Sequence, residues 1–341
     1  MTKALLFFSF GGPNGPDDVL DFMANVTRNR PIPAQRLIEV SKHYFGFGGK
    51  SPINEINLDL IERTKVAFAK RGIDLGIYFG NRNWTPYLGD ALREMISDSI
   101  DDVVVFVTSA YGSFSGCRQY RQDLNSARLS SANPAISLFK LRHFYNHPGF
   151  IEPFVDGTIQ AIESLVKKHD PSEIELLFSA HSIPIEMTKT SDYLTQLASV
   201  RNYIVGEVTQ RLGLVLDQQQ VFQSRSGPPT QPWLEPDISD AIRESYANQK
   251  RAFVVVPIGF ISDHMEVIYD LDTLARQTAT EVGASFERVN TPSGCDAFAD
   301  LIADLVQEQL DPTFSSPKIA GIVEPYAMCR PDCCITLTPP G

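Results

Sequence analysis

Residues 5–13 read LLFFSFGGP, and residues 176–184 read LLFSAHSIP. Each is a short run of Leu and Phe that turns abruptly polar and then meets Pro. Runs of this length and composition suit strands buried on both faces, as in a parallel sheet. The echo between two stretches so far apart implies two halves of one architecture. A second pair agrees: VVVFVTSAYG at 103–112 is answered by VVVPIGFISD at 254–263. Between the members of each pair, a shorter strand runs into an Arg-bearing polar loop, YFGNRNW at 78–84 and FQSRSGPP at 222–229. The repeat is too weak and too long in period for a solenoid.

Working outward, the apolar runs predict strands at Leu5–Phe10, Gly76–Phe79, Val103–Thr108, Glu175–Phe178, Leu216–Phe222 and Phe253–Ile258. Helical periodicity fills the gaps, at Asn57–Arg71, Leu88–Ser99, Phe150–His169, Tyr193–Leu212 and Asp296–Leu310. Alternating strands and helices give an α/β class with right-handed crossovers. The expected division is 1–147, 148–310 and a Cys-bearing extension, 311–341. In open parallel sheets, ligands bind in the crevice beyond the carboxyl ends of the strands. The polar segments that follow the strands should therefore converge on one cleft between the halves.

The bulk numbers narrow the function. With 341 residues, 43% hydrophobic and 21% charged, the chain has a globular composition and room for two domains. A net charge of -11 argues against a general nucleic-acid binder, which needs a basic face. No apolar run approaches the roughly 18 residues of a membrane span. The start, MTKALLFFSFGGP, ends its apolar run without a signal-type cleavage site. It reads as a buried first strand and implies a cytoplasmic protein. Five cysteines in a chain this long are no disulfide framework, yet Cys329, Cys333 and Cys334 crowd the carboxyl terminus.

Two strand-end loops hold the titratable groups. His181 directly follows an expected strand and opens toward the cleft; a histidine satisfied by backbone is the alternative. Ser262-Asp263-His264-Met265-Glu266 follows the matching strand of the second half. So many polar groups are costly to bury unless they serve a metal or a proton, although a helix cap could share the loop. With a helix starting near Asp263, Glu266 and Asp270 share one face, and Leu274 ends the acidic ladder. Two carboxylates and an imidazole suit Fe(II) in transit rather than a permanent site. Gly11-Gly12-Pro13 lacks the glycine spacing of a dinucleotide loop. Phe10, at the strand end, could lie against a flat ring or simply pack in the core.

Taken together, these loops resemble the ferrochelatase family, which inserts iron into porphyrin in haem biosynthesis. The resemblance runs from LLFFSFGGP through FGGKSPIN, YFGNRNW, SAHSIP and QSRSGPPTQPWLEPD to PIGFISDHMEVIYDLD, over about residues 4–310 and in order. It implies two Rossmann-like domains with the macrocycle between them. It places His181 over one ring face, with Glu266 sharing pyrrole deprotonation and Asp270 on the metal route. Phe10 stands where many relatives carry Tyr, so it can only pack. The candidates for the ring carboxylates are Arg28, Arg30, Tyr44, Ser51 and Tyr120. Only residues 31–42 separate NVTRNR from HYFGFGG, so the long apolar lip of membrane-associated relatives is missing. A polar mouth favours coproporphyrin III, with its four carboxylates, over protoporphyrin IX. The expected partners are the porphyrin and Fe(II), with transient contacts to haem-pathway proteins. Alternatives are a non-catalytic haem or porphyrin carrier, or a chelatase for another tetrapyrrole or metal.

The resemblance also bears on the cysteines. Some relatives carry a [2Fe–2S] cluster held by three carboxyl-terminal cysteines and one from the first domain. Cys329, Cys333 and Cys334 supply the three, and Cys117 matches the fourth. Zinc is the rival for such a set, and unmetallated thiols are the remaining possibility. Cys295 has no partner motif and reads as a buried thiol.

Overall fold

A computed structural model describes residues 3–28, 34–228, 230–326 and 332–335. Two four-stranded sheets, parallel throughout, form its centre. The first contains β1 (Lys3–Ser9), β2 (Gly76–Asn81), β3 (Asp102–Val107) and β4 (Ser137–Lys140) in the order β2-β1-β3-β4. The second contains β5 (Ile174–His181), β6 (Asp217–Gln223), β7 (Ala252–Val256) and β8 (Ser285–Arg288) in the order β6-β5-β7-β8. The duplication expected from the sequence is therefore present in the topology. The ladders refine it: Leu5 pairs with Val104 and Leu176 with Val254, so the two Val runs correspond one residue out of simple alignment.

Composition explains which strands were legible. Every residue of β1 after Lys3 is buried, as is all of β7, which suits central strands covered on both faces. The expected strand through Ile258 stops at Val256 because Pro257 has no N–H to donate. The edge strands β4 and β8 escaped prediction: each has four residues and only partial burial, so neither shows an apolar run.

Around the first sheet lie α1 (Val19–Val26), α2 (Ala34–Gly46), α3 (Ile53–Arg71), α4 (Leu88–Ser97) and α5 (Gln119–Leu129). Around the second lie α6 (Pro148–Leu165), α7 (Ile185–Thr188), α8 (Tyr193–Leu212), α9 (Ile238–Ala247), α10 (Met265–Val267), α11 (Arg276–Val282) and α12 (Asp296–Leu310). A π-helical stretch, Ile268–Ala275, joins α10 to α11. One apolar core holds residues of both halves, including Phe7 and Phe106 from the first and Phe154, Phe178 and Phe298 from the second. Each large side chain buried there contributes about 1.5–3 kcal/mol.

In that core, α12 packs against both α3 and α6. Gly149, near the start of α6, permits the approach: a Cβ there would stand 2.4 Å from the Ala297 carbonyl oxygen. Ion pairs flank the seam, Arg63 with Asp296 at 2.7 Å and Arg71 with Asp304 at 2.5 Å. No helix among the described residues is long and apolar enough to cross a membrane.

Candidate active site

In each sheet the chain leaves its first strand toward one side and returns on the other. The crevice this creates lies at the carboxyl ends of β1 and β3, and of β5 and β7. His181 is the last residue of β5. Its Nδ1 lies 2.5 Å from the Ser182 carbonyl oxygen, which can only accept, so the neutral ring carries its proton on Nδ1. Nε2 is left with its lone pair, 3.8 Å from Glu266 Oε2. Tyr193 donates from its hydroxyl to the His181 carbonyl at 3.0 Å and fixes the strand end. Gly259, in the loop after β7, allows close packing beside it: a Cβ there would stand 2.6 Å from Ala180 Cα.

Glu266 lies in α10 and Asp270 in the π-helical stretch behind it. Val267, Leu271, Ala275 and Ala279 bury the opposite face of this segment in the second half's core. The sequence predicts a plain helix from Asp263; the wider π turn is the difference. Asp270 accepts from Ser224 Oγ and, at 3.4 Å, from Gln223 Nε2. Burial pushes its pKa up to about 6, the Ser224 hydrogen bond opposes this, and the Glu266 carboxylate adds to it. Ser224 reaches Asp270 from a left-handed backbone, φ 60°, an uncommon conformation for a residue with a side chain. His264 precedes α10, and burial depresses its pKa while Glu266 pulls it upward.

The facing wall comes from the first half. Phe10 packs 6.4 Å from Phe22, beside Trp84 and Tyr44. The Tyr44 phenol has a raised pKa, first through burial and then through the Glu266 carboxylate, so α2 of one half reaches the acid of the other. His43 stacks on Tyr269 with ring centroids 3.9 Å apart and planes inclined by 15°. Neither Tyr269 nor Gln223 nor Ser224 carries a sequence signal that singles it out.

The remaining candidates for the ring carboxylates are dispersed. Arg28 is exposed and donates to Asn25 Oδ1 at 2.8 Å, while Arg30 lies outside the described residues. Ser51 is 2% exposed, its N–H donating to the Pro13 carbonyl at 2.9 Å. Tyr120 is 4% exposed, edge-on to Phe8 at 5.1 Å with Arg82 over its ring. Both are set back from the surface.

Cys117 is buried in a π turn, Phe114–Arg118. The next residue, Arg118, donates to the Cys333 carbonyl at 3.5 Å, so the carboxyl-terminal segment reaches this turn. Cys333 and Cys334 are also buried; the Cys334 N–H donates to the Thr190 carbonyl at 2.7 Å. Cys329 lies outside the described residues, and among those described no group of three or more His, Cys, Asp or Glu side chains is set to hold a metal ion. Cys295 is half-buried and donates to the Pro292 carbonyl at 3.0 Å; burial raises its pKa.

Comparison with known proteins identifies the family. A family model described as Ferrochelatase matches residues 2–310. A coproporphyrin III ferrochelatase of Streptomyces coelicolor is 46% identical, covering 90% of this chain and 85% of the relative. One from Mycolicibacterium smegmatis is 43% identical, over 90% of this chain and 89% of the relative. A ferrochelatase of Rhodopirellula baltica is 42% identical over 97% and 93%. Among solved structures, SirB from Bacillus subtilis with Fe3+ matches in fold, at 9% identity and a TM-score of 0.51, covering 93% of this chain and all of that one. The duplicated parallel sheets, the strand-end His181 beside Glu266 and a family match over nearly the whole of both halves lead to one assignment: the chain belongs to the ferrochelatase family.

Proposed function

We propose that this ferrochelatase inserts Fe(II) into coproporphyrin III, with His181 and Glu266 removing the pyrrole protons. The observation that carries this reading is the His181 Nε2 lone pair, held by the Nδ1 bond to Ser182 and standing 3.8 Å from Glu266. Insertion exchanges two N–H protons for one divalent ion. His181 Nε2 accepts a proton from the ring and relays it to Glu266, whose side chain is 49% exposed and returns it to water. Contacts of this kind are often long before substrate tightens them, and a positioned base contributes about 10²–10⁴-fold. Phe10 and Tyr44, partly exposed and backed by the buried Phe22 and Trp84, give the ring a surface to press against. Ring distortion between the walls supplies roughly 1–5 kcal/mol. Asp270, behind Glu266, hands the metal forward; of Arg28, Arg30, Tyr44, Ser51 and Tyr120, proposed for the ring carboxylates, the exposed Arg28 is the one suited to direct contact, while Ser51 and Tyr120 would act only from behind the surface. The choice of coproporphyrin III is supported by the names of the Streptomyces and Mycolicibacterium relatives and by the short stretch between Arg30 and His43.

The test is anaerobic Fe(II) insertion with coproporphyrin III and protoporphyrin IX in parallel. His181→Ala should lower turnover at least 100-fold while quenching of porphyrin fluorescence on binding persists. A variant that retains turnover sinks the assignment of the base. A wild type that binds ring but never inserts metal is a carrier.

Cys117, Cys329, Cys333 and Cys334 are assigned to a [2Fe–2S] cluster. The Arg118–Cys333 hydrogen bond, which brings the carboxyl-terminal segment to the turn that carries Cys117, supports this reading, although the three described thiols do not by themselves form a metal-holding group. The cluster would tie the carboxyl-terminal segment to the first half, remote from proton transfer. Anaerobically purified protein should show visible iron–sulfur absorption; colourless protein with stoichiometric zinc would overturn this. The division at 147 and 310 and a cytoplasmic location complete the reading.

A further inference from the structure

The segment that carries Glu266 and Asp270 crosses the carboxyl end of the second sheet and is tied at both edge strands. On the β6 side, Asp270 accepts from Ser224 Oγ and from Gln223 Nε2. On the β8 side the tie is Arg288, the last residue of that strand. We infer that Arg288, acting through Asp263 and Asp272, is a positioning residue for metal insertion. It sets where Glu266 and Asp270 stand and withholds their two neighbouring carboxylates from the metal. This inference rests on the Fe(II)-insertion reading.

Between 263 and 272 the chain carries four carboxylates, Asp263, Glu266, Asp270 and Asp272. Arg288 takes the outer two. Its Nη1 and Nη2 donate to the two oxygens of Asp263 at 3.0 and 3.2 Å, and its Nε to Asp272 Oδ1 at 2.7 Å. A planar guanidinium, with five donors in fixed directions, can hold both acids at once; an ammonium lacks that fork. The outer acids bracket the inner two, so one side chain fixes the segment ahead of Glu266 and behind Asp270. Asp270 and Asp272 turn to opposite edges of the sheet. Of the four carboxylates, Glu266 and Asp270 are the pair that Arg288 leaves to an incoming divalent ion.

The anchor is stiff. Arg288 pairs with Val255 of the fully buried β7, and Val289 donates its N–H to the Val255 carbonyl at 2.9 Å. The Arg288 side chain is 10% exposed; burial works against its charge, and the two carboxylates more than restore it. The segment it holds is three residues of α-helix followed by π turns. Helical pieces so short do not hold themselves, so the course of this one depends on its tertiary ties.

The experiment compares Arg288→Gln, Arg288→Lys and Arg276→Gln in the full chain. Arg276 is 47% exposed and reaches Asp272 at 3.7 Å, so its loss removes a neighbouring cation and spares the fork. Arg288→Gln should lower kcat about ten- to a hundredfold and raise KM for Fe(II), with KM for the porphyrin moving less than about twofold. Arg288→Lys should fall between wild type and Arg288→Gln, and Arg276→Gln should match wild type. Hydrogen exchange without substrates should quicken over residues 265–275 in Arg288→Gln. Should that variant not fold, Arg288→Lys carries the same test. An unchanged kcat, a lower kcat with both KM values unmoved, or exchange that does not quicken overturns the positioning role. If wild type inserts no iron at all, the functional reading falls, and hydrogen exchange alone decides whether Arg288 holds the segment.

Discussion

At Asp270 the protein buries a carboxyl whose charge it must still release. Burial raises the pKa from the ordinary 3.8 to about 6, only partly offset by the Ser224 hydroxyl. Because the folded state holds this proton more tightly than the unfolded chain, the site costs nothing below about pH 4. Stability falls as pH rises toward 6, and the full cost, on the order of 1–3 kcal/mol, is present above it. Asp270→Asn should therefore unfold later in urea at pH 8 and little differently at pH 4; an equal gain at both would show that charge is not the cause. The same substitution should slow metal insertion, the exchange of activity for stability expected at a working site. His181 and Glu266 were legible because each follows a strand whose apolar run is plain. Ser224 and Gln223 were not: their roles depend on a left-handed residue at a strand end and on an amide that donates to Asp270, and neither leaves a pattern in the chain.

Among the elements, the segment from α10 through the π turns to α11 departs most from sequence expectation. Spacing predicts a regular helix with Glu266 and Asp270 on one face, and the face is real. Periodicity cannot reveal the widened turns, which recur at functional positions because they re-aim side chains at some cost in regular hydrogen bonding. One result is that Tyr269 projects onto His43 of α2. This stack, with Phe47 edge-on at 6.5 Å, is a contact between the halves across the mouth. Tyr269→Ala should speed hydrogen exchange along the described part of α2 and raise KM for the porphyrin about three- to tenfold. Unchanged exchange would mean that α2 is held by its packing on Phe22 alone. The edge strands β4 and β8 were illegible for the opposite reason: too short and too polar to stand out, they are strands only because a neighbour offers a ladder.

Across the whole molecule the duplication is legible and the seam is not. Matching strands announced two halves, but nothing in the pattern foretold that α12 would lie on α3 of the first. Asp304 ties that seam. Burial opposes its ionisation, yet hydrogen bonds from His147 and Arg71 hold its pKa below the ordinary 3.8. His147 Nδ1 accepts from the Gly149 N–H at 2.9 Å, so its Nε2 is the donor, 3.2 Å from Asp304. The ion pair's contribution is intact above about pH 4 and is lost as pH falls through the depressed folded value. Asp304→Ala should cost roughly 1–3 kcal/mol near neutrality, because the buried His147 loses its acceptor while Arg71 keeps only Asp300, at 3.4 Å. With the core shared between halves, calorimetry should record a single transition for wild type and variant; two separated transitions would contradict the common core.

The docking of α12 sets an order of assembly. A ribosome releases the β1 strand and α3 early, and residues 296–310 only after both sheets have been made. Until then the flank of α3 has no cover, and the first half cannot close its own interior. Nascent chains thus carry an exposed apolar face through most of translation, the period in which holding by chaperones matters most.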